Sequence, residues 1–442
     1  MAINFSQNLK QELDNIYRQF NDEARQGTLI KAGRRVNDSA EFSESDVMPL
    51  YSLQKPLRKI YNKGEAKNPD IGDHPDFRHL KGTSKTINWS ITTLFMDLEG
   101  STRLGLIYPL EDVRRIKNAF IRATIEIVNA FDGHVHRIMG DAVMAFFGGI
   151  QMNSECAAID ALNCASFIQF FAENTVRPFL INDGFEDPFG IRIGLDYGSK
   201  ESVLWSSYGY PDMEEVTATS FYVDVASKLQ HLAGRDQIMI GQSLKEFIDF
   251  PDDLLIIKTV QKDGEMIPQK YLKPNYTNQE GNSINYQQFL LDWEKYLSFS
   301  PLSSPQNNFI LPASTTFQPT HIDVAIYSEE HEFFICNYKS CSKPVVKGQW
   351  LRFQPNLSYM PMLPYSIRFK VENNGIQAKE DNENEENQYG NHDTTYPVKT
   401  QEEHNNLYHS EQALYRGLHY MTIEIHEHNG MTHQAKIGIY VE

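Results

Sequence analysis

Two aspartates carry the clearest chemical signal in the sequence. Asp97 lies in Phe95-Met96-Asp97-Leu98-Glu99-Gly100-Ser101-Thr102, and Asp141 closes Arg137-Ile138-Met139-Gly140-Asp141. Each sits at the rim of what reads as a buried strand. Carboxylates gathered at one edge of a sheet make a hard-oxygen site for Mg²⁺ or Mn²⁺. Such a site suits in-line displacement at phosphorus. The backbone carbonyl of Leu98 is a natural extra ligand. The small-residue turn of Leu98, Glu99, Gly100, Ser101 and Thr102 leads toward a helix, and its amides suit a polyphosphate.

The elements around these residues must bring them together. Ile87 to Asp97 reads as a strand, and Glu111 to Phe131 as an amphipathic helix with Val113, Ile116, Phe120, Ile127 and Phe131 on one stripe. Asp132-Gly133 ends that helix. His134–Met139 and Ala142–Phe147 then read as strands folded about Gly140-Asp141, with His134 and His136 as polar strand residues. A helix over Asn153 to Val176 and a strand over Phe189 to Tyr197 follow. That order is βαββαβ, an α+β, ferredoxin-like arrangement with helices on one face of an antiparallel sheet. A third helix, Phe221 to Leu232, and strands near 237–240, 254–260 and 267–272 complete a domain spanning 86–275.

The flanking regions read more simply. Residues 1–85 open with helical spacing at Leu9, Leu13, Tyr17 and Phe20 and end in a linker from Lys63 to Lys85. Residues 276–314 read as a helical linker, with Tyr286 to Phe299 as one helix. Residues 315–442 carry short strands and turns, including two strands within Leu418 to Val441. The acidic, Asn-rich stretch from Lys379 to Asn406 reads as a flexible loop.

At 442 residues and a net charge of −17, the chain has room for two or three domains and is a poor general binder of nucleic acid. It has no run of apolar residues long enough to span a bilayer, and no signal peptide is apparent. Four cysteines fit reduced cytosolic thiols better than a disulfide framework. Cys336 and Cys341 lack a second Cys/His pair at zinc-binding spacing.

Four separated motifs, in order, resemble the class III nucleotidyl cyclases. They are Phe95-x-Asp97-Leu98-Glu99-Gly100-Ser101-Thr102; Arg137-x-x-Gly140-Asp141-x-x-Met144-Ala145-x-Phe147; Arg192-Ile193-Gly194-Leu195-x-x-Gly198; and Val223-Asp224-x-Ala226-Ser227-Lys228-Leu229. The resemblance implies a phosphorus–oxygen lyase acting as a head-to-tail homodimer, with two Mn²⁺ or Mg²⁺ ions per site held by Asp97, Asp141 and the Leu98 carbonyl. It places Phe95, the turn from Leu98 to Thr102 and Lys262 against substrate, and Arg137 and Thr217 against the base. Asp224 and Lys228 stand where the family keeps an asparagine for the ribose and an arginine for the developing charge.

Arg137 departs from the family's purine enzymes, which carry Lys or Glu there. A guanidinium fork donates two parallel hydrogen bonds. Cytosine offers O2 and N3 side by side, whereas uracil separates its acceptors with an N–H, so the tilt is toward CTP over UTP. Trp350, Met360 to Val371, Glu372-Asn373-Asn374-Gly375 and Tyr415-x-Gly417-x-His419-Tyr420 resemble the AGS-C sensor domain of bacterial antiphage operons. Together these features resemble the pyrimidine cyclases of Pycsar defence, whose cyclic CMP or cyclic UMP acts on a separate effector. A purine cyclase of ordinary signalling and a non-catalytic nucleotide-binding module stay open as alternatives.

Overall fold

The computed structural model describes residues 3–4, 13–22, 52–68, 70–262, 264–303, 311–312, 320–330, 332–357, 361–383, 390–428 and 430–442. Leu9, Asp263 and Met360 lie outside the described residues. The chain divides into two compact units, Gln7–Gly241 and Met1–Ser6 with Gln242–Glu442. The division falls upstream of the boundary at 275 read from the sequence.

In chain order the elements up to Gly241 are β1 (Ile3–Asn4), α1 (13–22), α2 (Gln54–Ile60), β2 (Ile87–Asn88), β3 (Ile91–Glu99), α3 (Ser101–Ile107), α4 (Leu110–Ala130), β4 (His134–Met139) and β5 (Ala142–Phe147). They continue with α5 (Ser154–Phe171), α6 (Arg177–Asn182), β6 (Gly190–Gly198), β7 (Leu204–Tyr210), β8 (Met213–Thr219), α7 (Phe221–Leu232) and β9 (Gln237–Gly241).

Within the first unit the main sheet runs β9-β6-β3-β5-β4. Strand β3 pairs antiparallel with β5 on one side and with β6 on the other, and β9 adds parallel to β6. The sequence β3-α4-β4-β5-α5-β6 is the expected βαββαβ order. The α4 stripe is buried as its spacing predicts, with Ile116, Phe120 and Ile127 fully covered. Asn153 caps α5 by accepting from the Cys156 amide at 2.9 Å. Asp132, with φ of 61°, and Gly133 end α4; a Cβ on Gly133 would lie 2.6 Å from the Phe147 ring.

The N-terminal residues brace α4. Glu126 accepts from the Leu53 and Gln54 amides at 2.7 and 3.3 Å, satisfying donors at the start of α2. Arg58 donates to the carbonyls of Asn129 and Ala130, both at 3.2 Å, at the same C-terminal end of α4. Lys63 bridges Asp132 and the buried Asp160 at 2.9 and 2.8 Å.

A hairpin that the sequence reading did not foresee, β7 with β8, joins β2 in a separate three-stranded sheet. Trp205, Val216 and Ala218 fill its inner face against Phe77 and Phe146. Its outer residues are too polar for an alternating pattern to stand out.

The second unit holds α8 (Gln242–Phe247), β10 (Leu255–Ile256), β11 (Thr259–Lys262), β12 (Glu265–Pro268), β13 (Gln288–Leu291), α9 (Trp293–Ser298), β14 (Leu311–Pro312), β15 (Thr320–Tyr327), β16 (Phe334–Tyr338) and β17 (Pro344–Val345). It ends with β18 (Trp350–Leu357), β19 (Tyr365–Glu372), α10 (Ile376–Glu383), β20 (His392–Val398), α11 (Gln401–Asn405), β21 (His409–Gln412), β22 (Gly417–Glu427) and β23 (Gly430–Val441). Two sheets, β16-β15-β18-β21 and β17-β23-β22-β19-β20, share a core that includes Val324, Phe353, Ile367, Phe369, Ile423 and Ile439.

Two sequence expectations are corrected here. Tyr286 to Phe299 is not one helix, because Asp292 accepts from the Lys295 amide at 3.0 Å and starts α9 only after β13 has ended. The stretch 379–406 is more than a loop. Strand β20 pairs with β19 from Tyr365↔Val398 to Val371↔His392, and Thr400 and Glu403 form a capping box on α11. Thr394, Thr395, Tyr396 and Val398 supply strand propensity that the surrounding acidic and amide residues mask.

Gly194 lets α7 lie directly on β6. A Cβ there would sit 2.2 Å from the Gln230 amide nitrogen and 2.3 Å from the Ala226 carbonyl oxygen, both helix backbone. Gly194→Ala is expected to lower unfolding free energy by about 3 kcal/mol in urea titration, because neither neighbour is a flexible side chain.

Candidate active site

Asp97 lies near the end of β3 and stands opposite Arg192 of β6. On the other side of β3, Met96 stands opposite Val143, so Asp97 emerges beside the start of β5. Asp141 belongs to the turn into β5, where Gly140 takes φ of 71°. The two carboxylates therefore leave the sheet at the same edge, with side chains 18% and 21% exposed.

Each is held by donors that spacing alone did not reveal. Asp97 pairs with Arg192 and accepts from Gln230 of α7 at 3.4 Å. Asp141 accepts from Ser101 and pairs with Lys117 of α4 at 3.2 Å. Arg192 lies in a quoted motif, but its partner becomes visible only through the β3–β6 register. Lys117 reaches Asp141 from the face of α4.

Between β3 and α3, Gly100 adopts φ of 80° and allows the sharp turn after Glu99. Glu99 pairs with Arg235 at 3.4 Å, Ser101 and Leu98 are buried, and Thr102 is exposed. Phe95 is buried in the cluster with Met144, Val223 and Ala226.

Arg137 sits on β4 just past a register shift. Its Nε donates to Glu215 Oε2 at 2.8 Å, and a terminal guanidinium nitrogen pairs with the other carboxylate oxygen. Glu215 and Thr217 are two apart on β8 and share a face. The structure thus brings Arg137 to the strand that carries Thr217. Glu215 holds the guanidinium by one edge and leaves donors on the opposite edge.

Asp224 and Lys228 lie one turn apart on α7, the first exposed and the second half-buried. Partial burial raises the Asp224 carboxyl above its usual range. Lys262 ends β11, opposite Glu265 in the second unit.

A cytidylate cyclase of Escherichia coli is 39% identical over 411 residues, covering 88% of this chain and 83% of that protein. A cytidylate cyclase of Staphylococcus aureus is 34% identical over 386 residues, covering 84% of this chain and 83% of its own. The chain belongs to the cytidylate cyclase family. Residues 302–442 match the adenylyl/guanylyl and SMODS C-terminal sensor domain, the module anticipated from Trp350, Gly375 and Tyr415. The crystal structure of the adenylyl cyclase CyaB from P. aeruginosa aligns with 47% of this chain and 95% of its own, at 20% identity and a TM-score of 0.38. No helix among the described residues is long and apolar enough to cross a membrane.

A histidine cluster supports the strand that carries Arg137 in this cyclase. His134 and His136 both hydrogen-bond the Gly72 carbonyl at 2.9 Å, and the His74 ring lies 5.2 Å from that of His134. Burial pushes His74 down to about 4, and burial also holds His134 and His136 low against their bonds to Gly72. All three rings favour the neutral form when folded. Their contribution is present above the ordinary value of 6.5 and is lost as pH falls from there, for His74 down to about 4. Unfolding free energy should therefore drop below pH 6.5 by up to ~1.4 kcal/mol per pH unit for each titrating ring. Urea titrations between pH 7.5 and 4.5 check this, and His74→Gln should flatten the slope.

Proposed function

We propose that the protein converts CTP to 3′,5′-cyclic CMP and diphosphate. The observation that carries this reading is Asp97 and Asp141 at one sheet edge in a chain 39% identical to a cytidylate cyclase, with Arg137 held ready on β4. The 3′-oxygen of the ribose forms a bond to the α-phosphorus, the bond from that phosphorus to the α,β-bridging oxygen breaks, and diphosphate leaves. The hydroxyl proton passes to solvent.

The donor set at the sheet edge fits Mn²⁺ or Mg²⁺. Two partly exposed carboxylates and the Leu98 carbonyl are hard oxygen ligands, and both carboxylates already face cationic side chains. Bound there, two such ions would lower the pKa of the 3′-hydroxyl and neutralise the triphosphate. Asp97 and Asp141 hold the acidic side of the centre. The turn from Leu98 through Glu99, Gly100 and Ser101 to Thr102 offers amides to the triphosphate. Arg137 directs its free edge to O2 and N3 of cytosine, with Thr217 beside it. Lys228 places positive charge near the α-phosphate as charge develops, and Asp224 binds the ribose hydroxyls. Phe95 backs the floor of the site.

In this reading the enzyme works as a homodimer with sites shared between protomers, in the bacterial cytoplasm. Residues 86–275 form the catalytic segment, 1–85 an N-terminal helical segment and linker, 276–314 a linker and 315–442 the sensor. The cyclic nucleotide serves antiviral defence by acting on a separate effector.

Purified protein incubated with Mn²⁺ and each of ATP, GTP, CTP and UTP in turn, with products identified by mass, tests the proposal. Cyclic CMP is expected as the main product, with purine turnover at least about tenfold slower, a discrimination of ~1.4 kcal/mol. Cyclic AMP or cyclic GMP as the main product would overturn it.

A further inference from the structure

The C-terminal unit holds a second cluster of metal-ligating groups, unrelated to the aspartates of the catalytic unit. His392 opens β20, and His409 and Glu411 lie on β21. One ligand atom from each falls within 4.8 Å of the others. His392 Nε2 and His409 Nε2 both meet Glu411 Oε1, at 2.8 and 2.5 Å. His409 is buried, and His392 and Glu411 are 29% and 22% exposed.

The far nitrogens are anchored. His392 Nδ1 hydrogen-bonds the Gly390 carbonyl at 2.9 Å, and His409 Nδ1 lies 3.1 Å from the Tyr396 hydroxyl. The His409 ring also stacks on Phe369 at 4.8 Å. Metal-binding histidines show this pattern, one nitrogen facing the ion and the other fixed by a carbonyl or hydroxyl. Nearby His419 does not share it. Its Nδ1 accepts from the Asn374 amide at 3.1 Å and its Nε2 donates to the Tyr415 carbonyl at 2.7 Å, so both nitrogens are engaged.

A cavity of ≈ 50 Å³ opens onto His392 and Glu411, with Leu351, Val371 and Met421 in its wall. That space accommodates a metal-bound water.

We propose that His392, His409 and Glu411 bind a Zn²⁺ ion in the sensor domain, with a fourth coordination position open to this cavity. Two imidazoles and a carboxylate favour Zn²⁺ over Mg²⁺ or Ca²⁺, which prefer all-oxygen shells. A tetrahedral zinc site sets ligand atoms roughly 3.3 Å apart, so Glu411 Oε1 would move slightly away from both rings while the two histidine nitrogens stay within reach of one ion. Without the ion, Glu411 Oε1 bridges the two rings through hydrogen bonds from their Nε2 atoms, and the ion would replace those bonds.

The position gives the ion a structural consequence. Strand β20 is the edge of the five-stranded sheet and β21 is the edge of the four-stranded one. The two strands share no ladder, so zinc would clip the edges of two sheets. The open position would then receive a small anion or other Lewis base entering the cavity, the class of ligand a metal-based sensor takes up.

The test uses the full chain carrying Asp97→Ala and Asp141→Ala, which removes the carboxylates of the catalytic unit from the count. After chelation and dialysis, Zn²⁺ alone is added, and stoichiometry and affinity are read by calorimetry, with Co²⁺ absorption as a check on coordination. One zinc per chain is expected, with a tetrahedral Co²⁺ spectrum. His392→Ala, at the most exposed ligand, and Glu411→Gln should each weaken binding at least 100-fold; Tyr396→Phe should weaken it about tenfold through His409. Circular dichroism confirms that each variant is folded. Absence of zinc binding, or zinc affinity unchanged in folded His392→Ala and Glu411→Gln, would overturn the proposal whatever nucleotide the enzyme uses.

Discussion

The antiparallel register of β3 is the constraint on which the catalytic unit depends. It is the strand with β6 on one side and β5 on the other, and its pairing fixes what stands beside Asp97 on both sides. A slip of one residue would move Asp97 onto the face that buries Leu94, Met96 and Leu98, where a carboxylate would lose its contact with water at high cost. Core packing and site geometry are thus one requirement.

The electrostatics follow from the same placement. The chain carries a charge of −17, yet each carboxylate at the sheet edge faces a cation: Arg192 for Asp97 and Lys117 for Asp141. These pairs set a positive charge beside each acid where the carboxylates are partly shielded from water. Arg137 is treated likewise by Glu215, which fixes one edge of its guanidinium. Local pairing of acid and base thus keeps the sheet edge from carrying the full negative charge of the chain.

The βαββαβ core was legible because its signals are local. The α4 stripe, the Asp132-Gly133 stop and the Gly140 turn each declare themselves within a few residues. Asp97 and Asp141 could be paired from that frame alone. What escaped notice depends on pairing between distant segments. Glu215 sits in a hairpin whose outer face is polar, so nothing in the sequence announced a strand or a partner for Arg137. His392 and Glu411 are separated by α11 and belong to different sheets, so their meeting is visible only in the fold. Strand β20 was hidden by acidic composition, although its Thr and Tyr residues favour a strand. In the region read as one helix after Tyr286, a single capping residue, Asp292, ended the ambiguity.

We propose the carboxylates at the β3–β5 edge as the reactive centre, and the decisive measurement is CTP turnover by Asp97→Ala, compared with the parent protein at matched folded concentration and saturating Mn²⁺. Cyclic CMP formation is expected to fall by at least about 10³-fold, or ~4 kcal/mol of transition-state stabilisation, while the urea midpoint stays close to that of the parent. Turnover within a few-fold of the parent in the folded variant would contradict it.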